Sequence, residues 1–303
     1  MTFILRRLIR AAICAVALAG ALSTVGVSGA FAAAIGYSVR SDADRKLYRV
    51  DMATGAATVI GATGFNKIEA LAMNAAGEIY GISPVTAQLV KCSATTGACT
   101  AVGLLAGLPQ VQANAGLTFT TNGTMYLAAN AVVYRVDPAT GGAAPLGGTG
   151  PALSGLAGVP PTANCASGLF GIGGNTDRGK LYCINTTTGA STLLGSLSVN
   201  PLDSGLDGDP VTGIVWGISN DDPGQVFAIN PTTLAVTNLN PVTLAGTPIG
   251  GFESLAIQHT ADLEVAQPVP TLSERSLLLL SLLIASAVIF SQRRKPSSAL
   301  LRK

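Results

Sequence analysis

Four oxygen-bearing side chains occupy matching positions in this sequence and could do chemistry together. Glu69 precedes Ala70-Leu71-Ala72, Asn114 precedes Ala115-Gly116-Leu117, Asp203 precedes Ser204-Gly205-Leu206 and Glu253 precedes Ser254-Leu255-Ala256, with Ser154 and Ser204 nearby. Carboxylate, amide and hydroxyl oxygens are the ligands of a hard cation such as Ca²⁺, and a bound cation can activate water or polarise a carbonyl. The same residue types also serve as solvated or capping groups at strand starts, so both readings stay open. No cofactor is firmly implied.

Other catalytic signatures are poor. The single histidine, His259, falls at the end of the last expected strand, where it reads as a surface residue, and no Gly-x-Ser-x-Gly elbow accompanies it. Gly171-Ile172-Gly173-Gly174 lacks the spacing and the following helix of a dinucleotide loop, and Gly179-Lys180 is followed by Leu181 rather than Ser or Thr. The acidic runs Asp207-Gly208-Asp209-Pro210 and Asn220-Asp221-Asp222-Pro223-Gly224 offer a second calcium reading. They lack the EF-hand order, and loop turns explain them better.

Internal repetition supplies the elements that must position these groups. The stretch 47–61 recurs at 89–103, 133–147, 181–195 and, more weakly, 226–240, with starts 42, 44, 48 and 45 residues apart. That period suits propeller blades. Each copy reads as a hairpin of two short strands around a Thr-Gly-type turn, and Asp51, Asp137, Asn185 and Asn230 stand at the turn entry, where such side chains bond the turn backbone. Between hairpins lies a second pair of strands, for example 69–72 with 77–81 and 205–206 with 215–217. The fifth opening strand, 253–257, has no partner after it, but 35–39 near the other end has the required pattern. Pairing the two ends gives an all-β, five-bladed β-propeller over residues 34–259. A β-sandwich or solenoid has the same strand content. End-to-end complementarity favours the propeller.

In the second hairpin Cys92 and Cys99 replace Val50 and Ala57 of the first and should face each other across the turn, within disulfide range. Simple register places Cys183 near Gly171 rather than near Cys165. Bridging that second pair requires the 159–167 loop to fold back, and the spacing leaves this open.

Both ends of the chain read as targeting segments. Arg6, Arg7 and Arg10 precede an apolar run at 11–22 and the small-residue site Ala30-Phe31-Ala32, the three parts of a secretory signal peptide over residues 1–33. At the other end, a linker at 260–268 leads to an uncharged stretch, 276–291, followed by Arg293, Arg294 and Lys295. At about 1.5 Å per helical residue this stretch approaches a bilayer core of roughly 30 Å, and the basic cluster would hold its C-terminal end in the cytoplasm.

The whole chain of 303 residues carries a formal charge of +2. Between 34 and 270 there are nine Lys or Arg and fifteen Asp or Glu, so the body carries −6. An acidic body without a basic stripe makes nucleic acid an unsuitable partner.

Val269, Pro270, Thr271, Leu272, Ser273 and Glu274, placed before the apolar stretch and the basic cluster, resemble the IPTL-CTERM sorting signal of bacterial envelope proteins, over 269–303. That resemblance implies recognition by an exosortase-type membrane protease, anchoring in the inner membrane and then release to the surface or medium. Arg275 and Ser276 stand where such signals usually carry Trp and Gly, a departure that bears on cutting more than on membrane location. The repeats are similar to NHL-repeat and gluconolactonase-like propellers. Likeness to the latter implies a metal ring at the channel mouth, here Glu69, Asn114, Asp203 and Glu253, and hydrolase or lactonase chemistry. The other expectation is an exported, non-enzymatic binding or structural protein with an extracellular ligand.

Overall fold

The computed structural model describes residues 34–40, 44–109 and 114–259. The signal segment, the linker and the whole sorting segment lie outside them. Among the described residues there is no α-helix, and no helix long and apolar enough to cross a membrane.

These residues are all-β and form a five-bladed propeller arrangement. The first three strands are β1 (Ile35–Val39), β2 (Lys46–Asp51) and β3 (Ala56–Ala62). Next comes the sheet of β4 (Ala70–Met73), β5 (Ile79–Ser83), β6 (Gln88–Cys92) and β7 (Cys99–Leu104), and then that of β8 (Gly116–Phe119), β9 (Met125–Ala129), β10 (Val132–Val136) and β11 (Ala143–Gly148). The following sheet holds β12 (Leu153–Gly158), β13 (Leu169–Gly173), β14 (Lys180–Ile184) and β15 (Ser191–Ser196). Another holds β16 (Ser204–Gly208), β17 (Val215–Ser219), β18 (Gln225–Ile229) and β19 (Val236–Pro241). A short hairpin of β20 (Thr243–Leu244) and β21 (Thr247–Pro248) lies alongside β3, and β22 (Ala256–Ile257) pairs antiparallel with β1 through Gly36↔Ile257 and Tyr37↔Ala256.

Burial follows position in the blade. In β2, Leu47, Tyr48 and Val50 are buried while Arg49 faces solvent, so the third strand of a blade keeps some polar alternation. In β5, β9, β13 and β17 every residue is buried, because neighbouring blades cover both faces. Five apolar clusters fill the spaces between adjacent sheets. One of them joins Tyr48, Val50 and Met52 to Trp216, Val226 and Phe252.

The hairpin turns are built as their residue types suggest. Asp51 Oδ1 accepts the N–H groups of Ala53 and Thr54 at 2.9 and 3.1 Å, and Asn185 Oδ1 those of Thr187 and Thr188 at 2.8 and 3.0 Å. Asn230 does the same for Thr232 and Thr233, while Asp137 takes the Ala139 N–H and the Thr140 hydroxyl. In the hairpin bearing the cysteines, Ser93 Oγ fills this role. The glycine that ends the first three repeats has a cause one blade away. A Cβ on Gly61, Gly103 or Gly147 would lie 2.0–2.1 Å from the carbonyl oxygen of Thr96, Thr140 or Thr188, in the turn of the following blade. Backbone therefore packs on backbone between these blades.

At the axis lies a polar pin. Asp207, on β16, is 2% exposed. Its Oδ1 accepts the Thr118 hydroxyl of β8 at 2.8 Å and the Gly208 N–H at 2.9 Å, and its Oδ2 accepts the Ile257 N–H of β22 at 2.9 Å. The Met73 N–H of β4 also bonds the carboxylate. Thr118 in turn accepts the Gly158 N–H of β12 at 3.0 Å. Two side chains thus join one strand from each of the five sheets. This corrects the reading of Asp207-Gly208 as a loop turn: both residues are strand, and the turn begins at Asp209, whose carboxylate takes the Val211 N–H and the Thr212 hydroxyl.

Both disulfides are present. Cys92 and Cys99 are direct cross-strand partners, with Cα atoms 3.9 Å apart. Cys183 pairs with Phe170, one residue from the expected Gly171, and the loop before it turns back through a Thr162–Cys165 bridge. That turn brings Cys165 to a Cα distance of 5.4 Å from Cys183 and closes the second bond.

Candidate functional site

The innermost strands β4, β8, β12, β16 and β22 pack on one another and present the residues before them at one mouth. Lys67 organises that mouth. Its ammonium is 2.9 Å from Glu69 Oε2 and 3.7 Å from Glu253 Oε2, and Glu253 Oε1 accepts the Asn220 Nδ2–H at 2.9 Å. Glu69 and Glu253 are 5% and 9% exposed. Carboxylates held this far from water need compensating charge and hydrogen bonds, which Lys67 and Asn220 supply.

Asp203 belongs to the same mouth. One carboxylate oxygen accepts the Ser204 N–H at 2.9 Å. Burial pushes its carboxyl above the ordinary carboxylate range, with the nearby Glu69 adding to the rise, while Ser154 and the Ser204 N–H pull the other way and Lys67 does so from a distance. Ser154 lies beside this carboxylate, and the Ser204 hydroxyl is buried without a partner. Asn114 has a left-handed backbone, φ 56°. A Cβ on Gly174 would lie 2.9 Å from Asn114 Nδ2 and 3.2 Å from Ser154 Cβ, so the missing side chain makes room for both.

Of the four positions singled out by spacing, Glu69 and Glu253 are brought together through Lys67. Asp203 stands close to Glu69, and Asn114 lies against Ser154. Among the described residues no group of three or more His, Cys, Asp or Glu side chains is arranged to hold a metal ion. Between Glu69 and Glu253 the place for a cation is taken by the chain's own ammonium. Lys67 and Asn220 escaped the sequence reading. Lys67 lies two residues before Glu69 outside the repeated pattern, and Asn220 sits in a run read as a turn. His259 follows the end of β22 remote from Glu253, Gly171–Gly173 lie within β13, and Lys180 opens β14.

No curated protein matches this chain. Solved structures similar to it include a chain of a nidogen/laminin complex, at 14% identity and a TM-score of 0.45, covering 74% of this chain and 84% of that one. A symmetrical protein of de novo evolutionary emergence is similar at 19% identity and a TM-score of 0.45, over 73% of this chain and 97% of that one. A structural-genomics protein of unknown function from Bacteroides thetaiotaomicron is similar at 16% identity and a TM-score of 0.45, over 60% of this chain, which spans about half (52%) of that one. The IPTL-CTERM motif matches residues 267–294, which points to export to the envelope and to a sorting system of the exosortase type. Residues 12–164, half of the chain, match the model of a "Repeat of unknown function (DUF6923)", and the protein belongs to that family.

Proposed function

We propose that this protein is an exported, non-enzymatic binding module: a propeller closed by its two chain ends, brought to the membrane by its tail and presenting the Lys67 mouth to a ligand outside the cell. The observation that carries this reading is the clustering of Lys67, Glu69, Asp203 and Glu253 at one mouth. Burying charge is costly, and a fold with no use for that mouth would be served as well by apolar residues.

Closure is supported by the β1–β22 pairs, by the apolar cluster shared between the two chain ends and β16–β19, and by the edge-on contact of Tyr48 with Phe252 at 5.5 Å. Pro241 O lies where a Cβ on Gly55 would be, 2.2 Å away, so the last and first hairpins meet as their neighbours do. Closure leaves 260–268 as a short polar stalk before the sorting motif. Arg293, Arg294 and Lys295 then hold the tail while the body stands outside, and Arg275 and Ser276 slow its cutting.

Retention of the exported body on the cell's own envelope fraction tests the mouth. Glu69→Gln combined with Glu253→Gln is expected to weaken retention at least about tenfold, or ~1.4 kcal/mol. Retention equal to that of the parent protein, at an equal melting midpoint, contradicts the reading.

A further inference from the structure

The inner strands run side by side, in one direction and in register. A Cβ on Gly155 of β12 would lie 2.7 Å from the Leu206 nitrogen of β16, and one on Gly205 of β16 would lie 2.6 Å from the Leu255 nitrogen that leads into β22. The last strand therefore enters at the mouth, after Glu253, and leaves at the opposite face. There the Ile257 N–H reaches Asp207, and the Gln258 N–H bonds Ile35 O at 2.8 Å. The other end of the body emerges at the same place. Ala34 O accepts the Met52 N–H at 2.9 Å, and Ile35 lies opposite Asp51 at the turn of the first hairpin. The two segments expected to meet the membrane, 1–33 and 276–291, thus join the body at neighbouring points on the face of the hairpin turns. The Lys67 mouth is at the other end of the axis.

Sixteen residues, 260–275, lead from His259 to the uncharged stretch. A flexible chain of that length spans about 22 Å on average. To bring the mouth to the bilayer it would have to cross a blade of four strands, roughly 14 Å at the usual spacing, and then climb a six-residue strand, roughly 20 Å. Its mean reach falls short of that path, and no such path is needed with the turn face toward the bilayer. We propose that the face of hairpin turns lies against the headgroup layer of the membrane that holds the tail, and that the mouth looks away from it toward partners outside; the proposal rests on the tail being an anchor.

Fluorescence quenching tests the orientation. The full-length, uncut protein in a Cys14→Ser background is reconstituted in phosphatidylethanolamine–phosphatidylglycerol vesicles that carry a quencher on the lipid headgroup. A fluorophore is attached through Thr121→Cys, in the exposed turn after β8 on the proposed membrane face, or through Val85→Cys, in the exposed loop after β5 on the mouth side. Thr187→Cys and Leu202→Cys form a second pair on another blade, so that loss of folding in one variant does not decide the result. The label on the turn face is expected to be quenched at least about threefold more than the label on the mouth side, in both pairs. Equal quenching on the two faces, or stronger quenching on the mouth side, overturns the orientation and leaves the anchor standing. Full-length protein that separates from the vesicles as readily as a chain ending at Gln267 overturns the anchor, and the orientation with it.

Discussion

Asp207→Ala is expected to destabilise the body by on the order of 4 kcal/mol or more, because it strips the acceptor from several buried donors at once. The Thr118 hydroxyl and the N–H groups of Gly208, Ile257 and Met73 would all lose their partner. Such groups on four different sheets cannot be re-satisfied by a single local shift. Urea unfolding at constant pH measures the loss. A midpoint close to that of the parent would contradict the pin.

The same carboxylate gives the protein a pH signature. Burial pushes the Asp207 carboxyl from its ordinary 3.8 up to about 7, against the pull of its four donors. Its folded value lies above its unfolded value, so the folded state retains a proton that the unfolded chain has already released. The stability contributed by this group is complete below 3.8 and is lost as pH rises through about 7. At ~1.4 kcal/mol per decade the loss is on the order of 4 kcal/mol. Asp203 shifts in the same direction, by burial. Glu78 and Asp177 are held low by hydrogen bonds from Lys91 and Lys180, and Asp137 by the Thr140 hydroxyl, so their contributions disappear at the acid end instead. The urea midpoint should therefore be highest in mildly acidic buffer and fall toward about pH 8, and Asp207→Asn should flatten that fall.

Gly103→Ala should have the second large effect. Its Cβ would sit 2.0 Å from Thr140 O, an atom fixed in the turn of the next blade, so the two blades must separate. Overpacking costs about 1–3 kcal/mol where side chains can yield, and a backbone oxygen yields least, so about 3 kcal/mol is expected. Gly148→Ala is the control, since its Cβ would meet Ala131 O at an ordinary 3.7 Å. That change should stay within about 0.5 kcal/mol. Equal destabilisation by the two substitutions would remove the backbone-contact explanation.

Much of the blade pattern was legible because it repeats locally. The hairpin pairing of Leu47–Val50, the Asx residues at the turns and the Cys92/Cys99 register depend on neighbours within one hairpin and appear as read, although Leu47 and Tyr48 are both buried where alternation would expose one of them. What the sequence hid depends on other blades. Gly61 and Gly103 were visible as the last residue of a repeat, but the turn that excludes their side chain is about forty residues on. Asp207 looked like part of an Asp-Gly-Asp-Pro turn, since nothing nearby marks it as a carboxylate shared between inner strands. At the mouth, Glu69, Asp203 and Glu253 shared a position relative to the inner strands and could be picked out. Lys67 could not, because it lies outside the repeated pattern and the second of its two partners, Glu253, is 186 residues away.

Cell fractionation of the full-length protein beside a chain ending at Gln267 tests most directly whether this propeller is delivered to the envelope by its tail. The full-length protein is expected in the membrane fraction with its body accessible from outside, and the shortened chain is expected to be released in soluble form. Equal release of the two, or equal retention, would contradict delivery by the tail.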